Sequence, residues 1–280
     1  MKLSTEWLEV SGASLGAFEA QQGFAHLKHY TAEVCELGEG PPLVLIPGLA
    51  GGYGLLAPLA RRLAEHHRVF CYQLRGEDDC FALRQRFGLQ DLVGDLAELL
   101  EHQGLERPAI FGVSFGGVVA MEFAARFPGK VRKLVVQGCG ARFERGLLQW
   151  IAGMVLSCYP LPCDNPFVNQ FFNLLFGGKQ TPGPLFRFVT RQCWQTDQSV
   201  MAHRFRMIKR INLTRRLERI SAPMLALAGD RDVIVSEQSF RELSDGVPQA
   251  QLIRLQGAGH LGFLTQPQRV AQEATRFLLD

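Results

Sequence analysis

Ser114 stands in the run Gly112-Val113-Ser114-Phe115-Gly116-Gly117, between apolar Ala109-Ile110-Phe111 and helix-prone Val118-Val119-Ala120-Met121. A serine on a tight strand-to-helix turn is pushed out of the chain, and small neighbours let the backbone fold closely on itself. At the start of a helix it also sits where the positive end of the dipole favours developing negative charge. A serine hydroxyl is a weak nucleophile until a base takes its proton. His260, in Gly257-Ala258-Gly259-His260-Leu261 just after the last predicted strand, is the candidate base. Of the other histidines, His66, His67 and His102 fall at predicted helix ends or in polar turns, where solvation or capping accounts for them. An imidazole keeps its acceptor nitrogen toward the serine only if its other nitrogen donates, for example to a carboxylate. Asp230 and Asp232, in Gly229-Asp230-Arg231-Asp232 after another predicted strand, are the two candidates. Acyl transfer also builds an oxyanion that needs two backbone donors, and Phe115 N–H, directly after the serine, is one of them. None of this chemistry requires a metal or a cofactor.

These residues have to be carried by elements that bring them together. Short runs rich in Val, Ile and Leu at 42–46, 68–74, 108–113 and 131–137 read as buried parallel strands. Between them, 55–66, 90–103 and 115–127 have apolar residues at helical spacing, which makes a β-α-β rhythm. It stops near Gly140 and resumes near Ala222, with strands at 224–228 and 251–255 and helices at 236–243 and 267–279. Residues 26–34 alternate enough for an antiparallel edge strand; residues 1–22 carry no assignable pattern.

The interval is of another kind. It is helix-prone, broken by Pro160, Pro162, Pro166, Pro182 and Pro184, and holds ten Phe or Trp from Phe143 to Phe205. It reads as an inserted cap over 141–220, between the core segments 26–140 and 221–280 and after an unassigned extension at 1–25. Within it Leu147, Trp150, Ile151, Met154, Val155 and Cys158 recur at helical spacing, a packing stripe that could also line an acyl pocket, with Trp150, Ile151 and Met154 as its candidates. The cap carries twelve Lys or Arg against four acids, a surplus of eight that leaves the rest of the chain at −5. A solvated helical face explains that surplus; an anionic group on the substrate is the sharper explanation.

The bulk numbers narrow the class. The 280 residues are 47% hydrophobic and 20% charged, with a net charge of +3, too little to argue for a nucleic-acid partner. Seven scattered cysteines, without a CxxC pair or zinc spacing, read as mostly reduced and buried. The longest apolar stretch, 147–160, is interrupted by Gln149 and Ser157 and is too short to span a bilayer. Residues 1–22 lack the charged start and unbroken apolar run of a signal peptide, so the expected location is cytoplasmic.

The G-x-S-x-G turn, the later acidic loop and the final Gly-His resemble the α/β-hydrolase family, from about Tyr30 to Asp280. The resemblance implies a mostly parallel central sheet flanked by helices with an inserted helical cap. It also implies the chain order serine, acid, histidine, and selects Asp232, where G-x-x-D ends and apolar Val233-Ile234-Val235 follows. By the same likeness Leu49 N–H, in Pro47-Gly48-Leu49-Ala50-Gly51-Gly52, is the second oxyanion donor. Two departures stand out: Pro47 where His is common, harmless because the wanted donor lies two residues on, and Gln73 instead of Asp before Leu74-Arg75-Gly76.

The leading function is hydrolysis of a small-molecule carboxylic ester or thioester with an apolar part through an acyl-Ser114 intermediate. The family also puts such a triad to C–C bond hydrolysis, peptide cleavage, perhydrolysis and lyase chemistry, and a non-enzymatic ligand receptor on the same fold is the remaining alternative. Dehalogenase and epoxide hydrolase readings are disfavoured, because those relatives place an aspartate where Ser114 stands.

Overall fold

The computed structural model describes residues 20–77, 83–143, 146, 150–151, 153–154, 156, 166–178 and 183–280. Eight strands form one sheet: β1 (Gln21–His26), β2 (Thr31–Leu37), β3 (Pro42–Ile46), β4 (Arg68–Tyr72), β5 (Ala109–Val113), β6 (Leu134–Gln137), β7 (Met224–Gly229) and β8 (Ala250–Leu255). Their order is β1-β2-β4-β3-β5-β6-β7-β8. The pairs β1–β2 and β2–β4 are antiparallel and all later pairs parallel.

Strands buried on both faces must be apolar at every position, and the alternation of their side chains then divides them between two cores. Val44, Ile46 and Ile110 point into one, with α2 (Leu89–His102), α3 (Phe115–Arg126) and α7 (Glu237–Gly246). Leu43, Leu45, Phe111 and Val113 point into the other, with α1 (Ala57–Leu63), α8 (Gly262–Thr265) and α9 (Pro267–Leu279). The sheet is therefore mostly parallel and covered by helices on both sides, as expected.

The differences are local. The single edge strand expected over 26–34 is two strands, because the chain reverses at 27–30, where Leu27 N–H donates to the Tyr30 carbonyl. β1 crosses the expected boundary at residue 25, and residues 1–19 lie outside the described residues. The helix expected over 55–66 starts as a 3-10 turn at Tyr53–Leu56, and β6 begins only at Leu134.

Between β6 and its direct neighbour β7 the chain makes an insertion containing α4 (Pro166–Leu175), α5 (Gly183–Cys193), α6 (Gln198–Ile208) and a 3-10 turn (Thr214–Arg219). Its two ends meet: Arg142 and Asn212 form an antiparallel bridge, and Leu213 N–H donates to the Ala141 carbonyl. No described helix is long and apolar enough to cross a membrane.

Candidate active site

Ser114 lies between β5 and α3 with φ 51°, the one non-glycine residue with positive φ among the described residues. Such backbone is strained for a residue with a Cβ and persists only where its surroundings impose it. Ser114 N–H donates to the Gln137 carbonyl on β6 (2.8 Å). Gly116 lies so close to the Ile46 and Pro47 carbonyls that any Cβ there would overlap them. That contact brings the end of β3 and the loop after it against the serine turn.

The expected partners converge on Ser114. His260 Nε2 is 2.9 Å from Ser114 Oγ, and its Nδ1 is 3.0 Å and 3.2 Å from the two Asp232 carboxylate oxygens. A carboxylate only accepts, so Nδ1 carries the proton and Nε2 is left to accept from the serine hydroxyl. Asp232 is almost fully buried, its side chain 1% exposed. Burial alone pushes its carboxyl pKa up, but the electrostatic pull and hydrogen bond of the His260 ring, together with Ile234 N–H and Val235 N–H on Oδ1, outweigh that and hold it below the ordinary value. Asp230 does something else: its Oδ1 accepts from Gly257 N–H (2.8 Å), tying the acidic loop to the histidine loop. The insertion also reaches the histidine loop, where Leu261 N–H donates to the Leu175 carbonyl and a side chain at Gly259 would overlap Gly177 N and Leu175 O.

Phe115 directly follows the serine as the first residue of α3, and Leu49 lies in the loop after β3, whose Gly48 faces the Ser114 Cβ. The Leu49 carbonyl accepts from Arg204 of α6 (3.1 Å). The Gln73 departure is absorbed by new bonds, since its amide donates to the Glu77 carbonyl (2.7 Å) and its oxygen accepts from Glu33 N–H. The neighbouring Arg75 makes a two-pronged pair with buried Asp95 of α2.

A small open pocket lies beside Ser114, lined by Val118, Gly138, Cys139, Ala141, Phe143, Ile208, Ile211, Ile234 and Val235 with Gly140 and Arg142. Trp150, Ile151 and Met154 are not among these residues. Trp150 and Met154 are instead 58% and 43% exposed, so the helical stripe turns two of its large side chains to solvent, and Leu147, Val155 and Cys158 lie outside the described residues. The apolar lining comes from the start of the insertion, the end of α6 and the loop after Asp232. Part of the insertion's positive surplus is consumed against the acidic core: Arg142 pairs with Glu242, Arg204 with Glu77 and Arg216 with Glu122.

Three residues at the site had not been anticipated. Gln137, a buried polar residue ending an apolar strand, donates to the His260 carbonyl (3.1 Å). That ending is the one sequence signal it gave. Thr196 and Arg204 look like ordinary helix-flank and helix residues of a basic segment, and nothing local marks them.

A family model described as alpha/beta hydrolase fold matches residues 41–267. Among curated proteins, the chain is 28% identical over 267 residues to a pimeloyl-[acyl-carrier protein] methyl ester esterase of Xanthomonas oryzae pv. oryzae (strain MAFF 311018), covering 86% of this chain and 96% of that one. Among solved structures, it resembles the enol-lactonase from Burkholderia xenovorans LB400 with a TM-score of 0.83 at 19% identity, over 92% of this chain and 100% of the other. It also resembles a bacterial membrane phospholipase A with a TM-score of 0.78 at 24% identity, over 92% and 86% of the two chains.

Proposed function

Because the chain belongs to the alpha/beta hydrolase family, we propose that it hydrolyses a carboxylic ester with an apolar acyl part through an acyl-Ser114 intermediate. The observation that carries this reading is the unbroken line of hydrogen bonds from Ser114 Oγ through His260 to buried Asp232. In this mechanism Ser114 Oγ attacks the ester carbonyl while its proton passes to His260 Nε2, and Asp232 stabilises the imidazolium. The carbonyl oxygen, now an oxyanion, takes hydrogen bonds from Phe115 N–H and Leu49 N–H. Collapse breaks the ester C–O bond, and His260 returns the proton to the leaving alcohol. Water then attacks the acyl-serine by the same route and releases the acid.

The apolar lining beside the serine supports an aliphatic or aromatic acyl group. The relative named for a methyl ester supports the ester class over C–C or peptide cleavage. The pairing of Arg142, Arg204 and Arg216 with core acids assigns part of the basic surplus to holding the insertion on the core. The test is a fluorophosphonate probe together with p-nitrophenyl butyrate: the wild-type chain labels at Ser114 and turns the ester over, and Ser114→Ala does neither. Labelling retained in Ser114→Ala refutes the assignment.

A further inference from the structure

Among the described residues Arg204 is the largest fully buried side chain, and it comes from the insertion rather than the core. A buried guanidinium is costly to desolvate, and hydrogen bonds from its terminal nitrogens offset that cost; the Arg204 Nε–H has no hydrogen-bond partner among the described residues. One terminal nitrogen donates to the Leu49 carbonyl (3.1 Å) and the Glu77 carboxylate, and the other donates to the Arg75 carbonyl (3.0 Å). The guanidinium carbon also lies 5.8 Å from the centre of the Phe115 ring. One side chain therefore touches the segments that follow β3, β4 and β5, three neighbouring strands at the centre of the sheet. Two residues before α6, Thr196 is 2% exposed and its Oγ1 accepts from Gly51 N–H (2.9 Å). Glu77 closes the arrangement, its second oxygen accepting from Leu74 N–H (3.3 Å).

The glycine-rich loop after β3 is thus gripped at residues 49 and 51 by two buried side chains of the insertion. We propose that Arg204, Glu77 and Thr196 are positioning residues of the oxyanion hole, so that the insertion sets the shape of the loop carrying the Leu49 N–H. This inference rests on the reading that Leu49 and Phe115 supply the two oxyanion donors. Hydrogen bonds to the Leu49 carbonyl and the Gly51 N–H fix the peptide planes on either side of Ala50, and a donor aimed at a developing charge acts only when it is held there beforehand. The substrate's ground state draws less on that geometry than the tetrahedral state does, so loosening the loop lowers kcat more than it changes KM.

The experiment compares Thr196→Val, which keeps the shape and removes the acceptor, with Thr196→Ser, which keeps the acceptor, and adds Arg204→Met. Sites are counted by saturating fluorophosphonate labelling, kcat and KM are measured per labelled site with p-nitrophenyl butyrate, and inhibition by a phenylboronic acid reports the tetrahedral state. Thr196→Val lowers kcat about tenfold and Arg204→Met about a hundredfold, with KM within about twofold and boronate affinity falling alongside kcat. Thr196→Ser stays near wild type. Unchanged kcat per labelled site in Thr196→Val, with only a lower melting temperature, overturns the proposal whether or not Arg204→Met folds. Wild-type protein that neither labels nor hydrolyses the ester overturns the functional reading and this inference with it, whereas an active wild type with an equally active Thr196→Val overturns this inference alone.

Discussion

Replacing Asp232 by Asn separates the two acidic candidates by a route that the hydrogen bonds dictate. Oδ1 accepts from Ile234 N–H (2.8 Å) and Val235 N–H (3.1 Å) as well as from His260. In the asparagine variant those two N–H groups hold the amide oxygen, and turning the amide over costs about 1–3 kcal/mol for each acceptor lost. The amide NH₂ then faces His260 Nδ1, where the carboxylate now lies at 3.0 Å. Two donors cannot meet, so the imidazole moves its proton to Nε2 and has nothing with which to receive the Ser114 proton. The expected loss is on the order of 10⁴ in kcat, about 5.4 kcal/mol of transition-state stabilisation. Asp230→Asn keeps an oxygen for Gly257 N–H, and the change is within about threefold, as for substitutions that preserve their contacts. The assay is kcat per labelled site with p-nitrophenyl butyrate. A loss below about tenfold in Asp232→Asn, or a larger one in Asp230→Asn, refutes the reasoning.

Asp232 also shapes acid stability. Its pKa is lower folded than unfolded, so its contribution is full above the ordinary value of 3.8 and is lost as pH falls through the lower folded value. Urea melts across that window should show a steeper loss in wild type than in Asp232→Asn; parallel curves would exclude this role. The strain at Ser114, with φ 51°, predicts that Ser114→Gly is more stable than Ser114→Ala by about 1 kcal/mol in the same melts, and an equal or reversed order would show that the turn is unstrained. For the apolar cavity, lengthening the acyl chain should raise kcat/KM by up to about tenfold for every two CH₂ groups until it fills, at about 0.8 kcal/mol each. A flat series from acetate to octanoate removes the acyl-pocket reading.

Much of this architecture was legible because the signals are local. The pattern at 42–46 gives β3 residue for residue, since a strand buried on both faces tolerates only apolar positions. The glycines around Ser114 announce a tight turn in the same way. Asp230 and Asp232 are less separable: they share a loop and a chemistry, and only the fold puts one against His260 and the other against Gly257. The facing of the helical stripe was not legible for a related reason. A helical stripe says that one face is apolar and not which way it turns, and Trp150 and Met154 face solvent. Arg204 was invisible, because an arginine within a basic helix reads as surface until a carboxylate 127 residues earlier in the chain is folded against it.

The pairing of Arg142 with Asn212, backed by Leu213 N–H on the Ala141 carbonyl, makes the insertion a loop that is already closed at its base. Closing a flexible loop costs entropy that grows only with the logarithm of its length, about 0.6 kcal/mol for each doubling. Once that neck is formed, the number of residues beyond it becomes nearly a free variable for the sheet below. A change of length beyond it should leave β6 and β7 in register, and its effect is expected instead at the histidine loop, against which Leu175 and Gly177 pack.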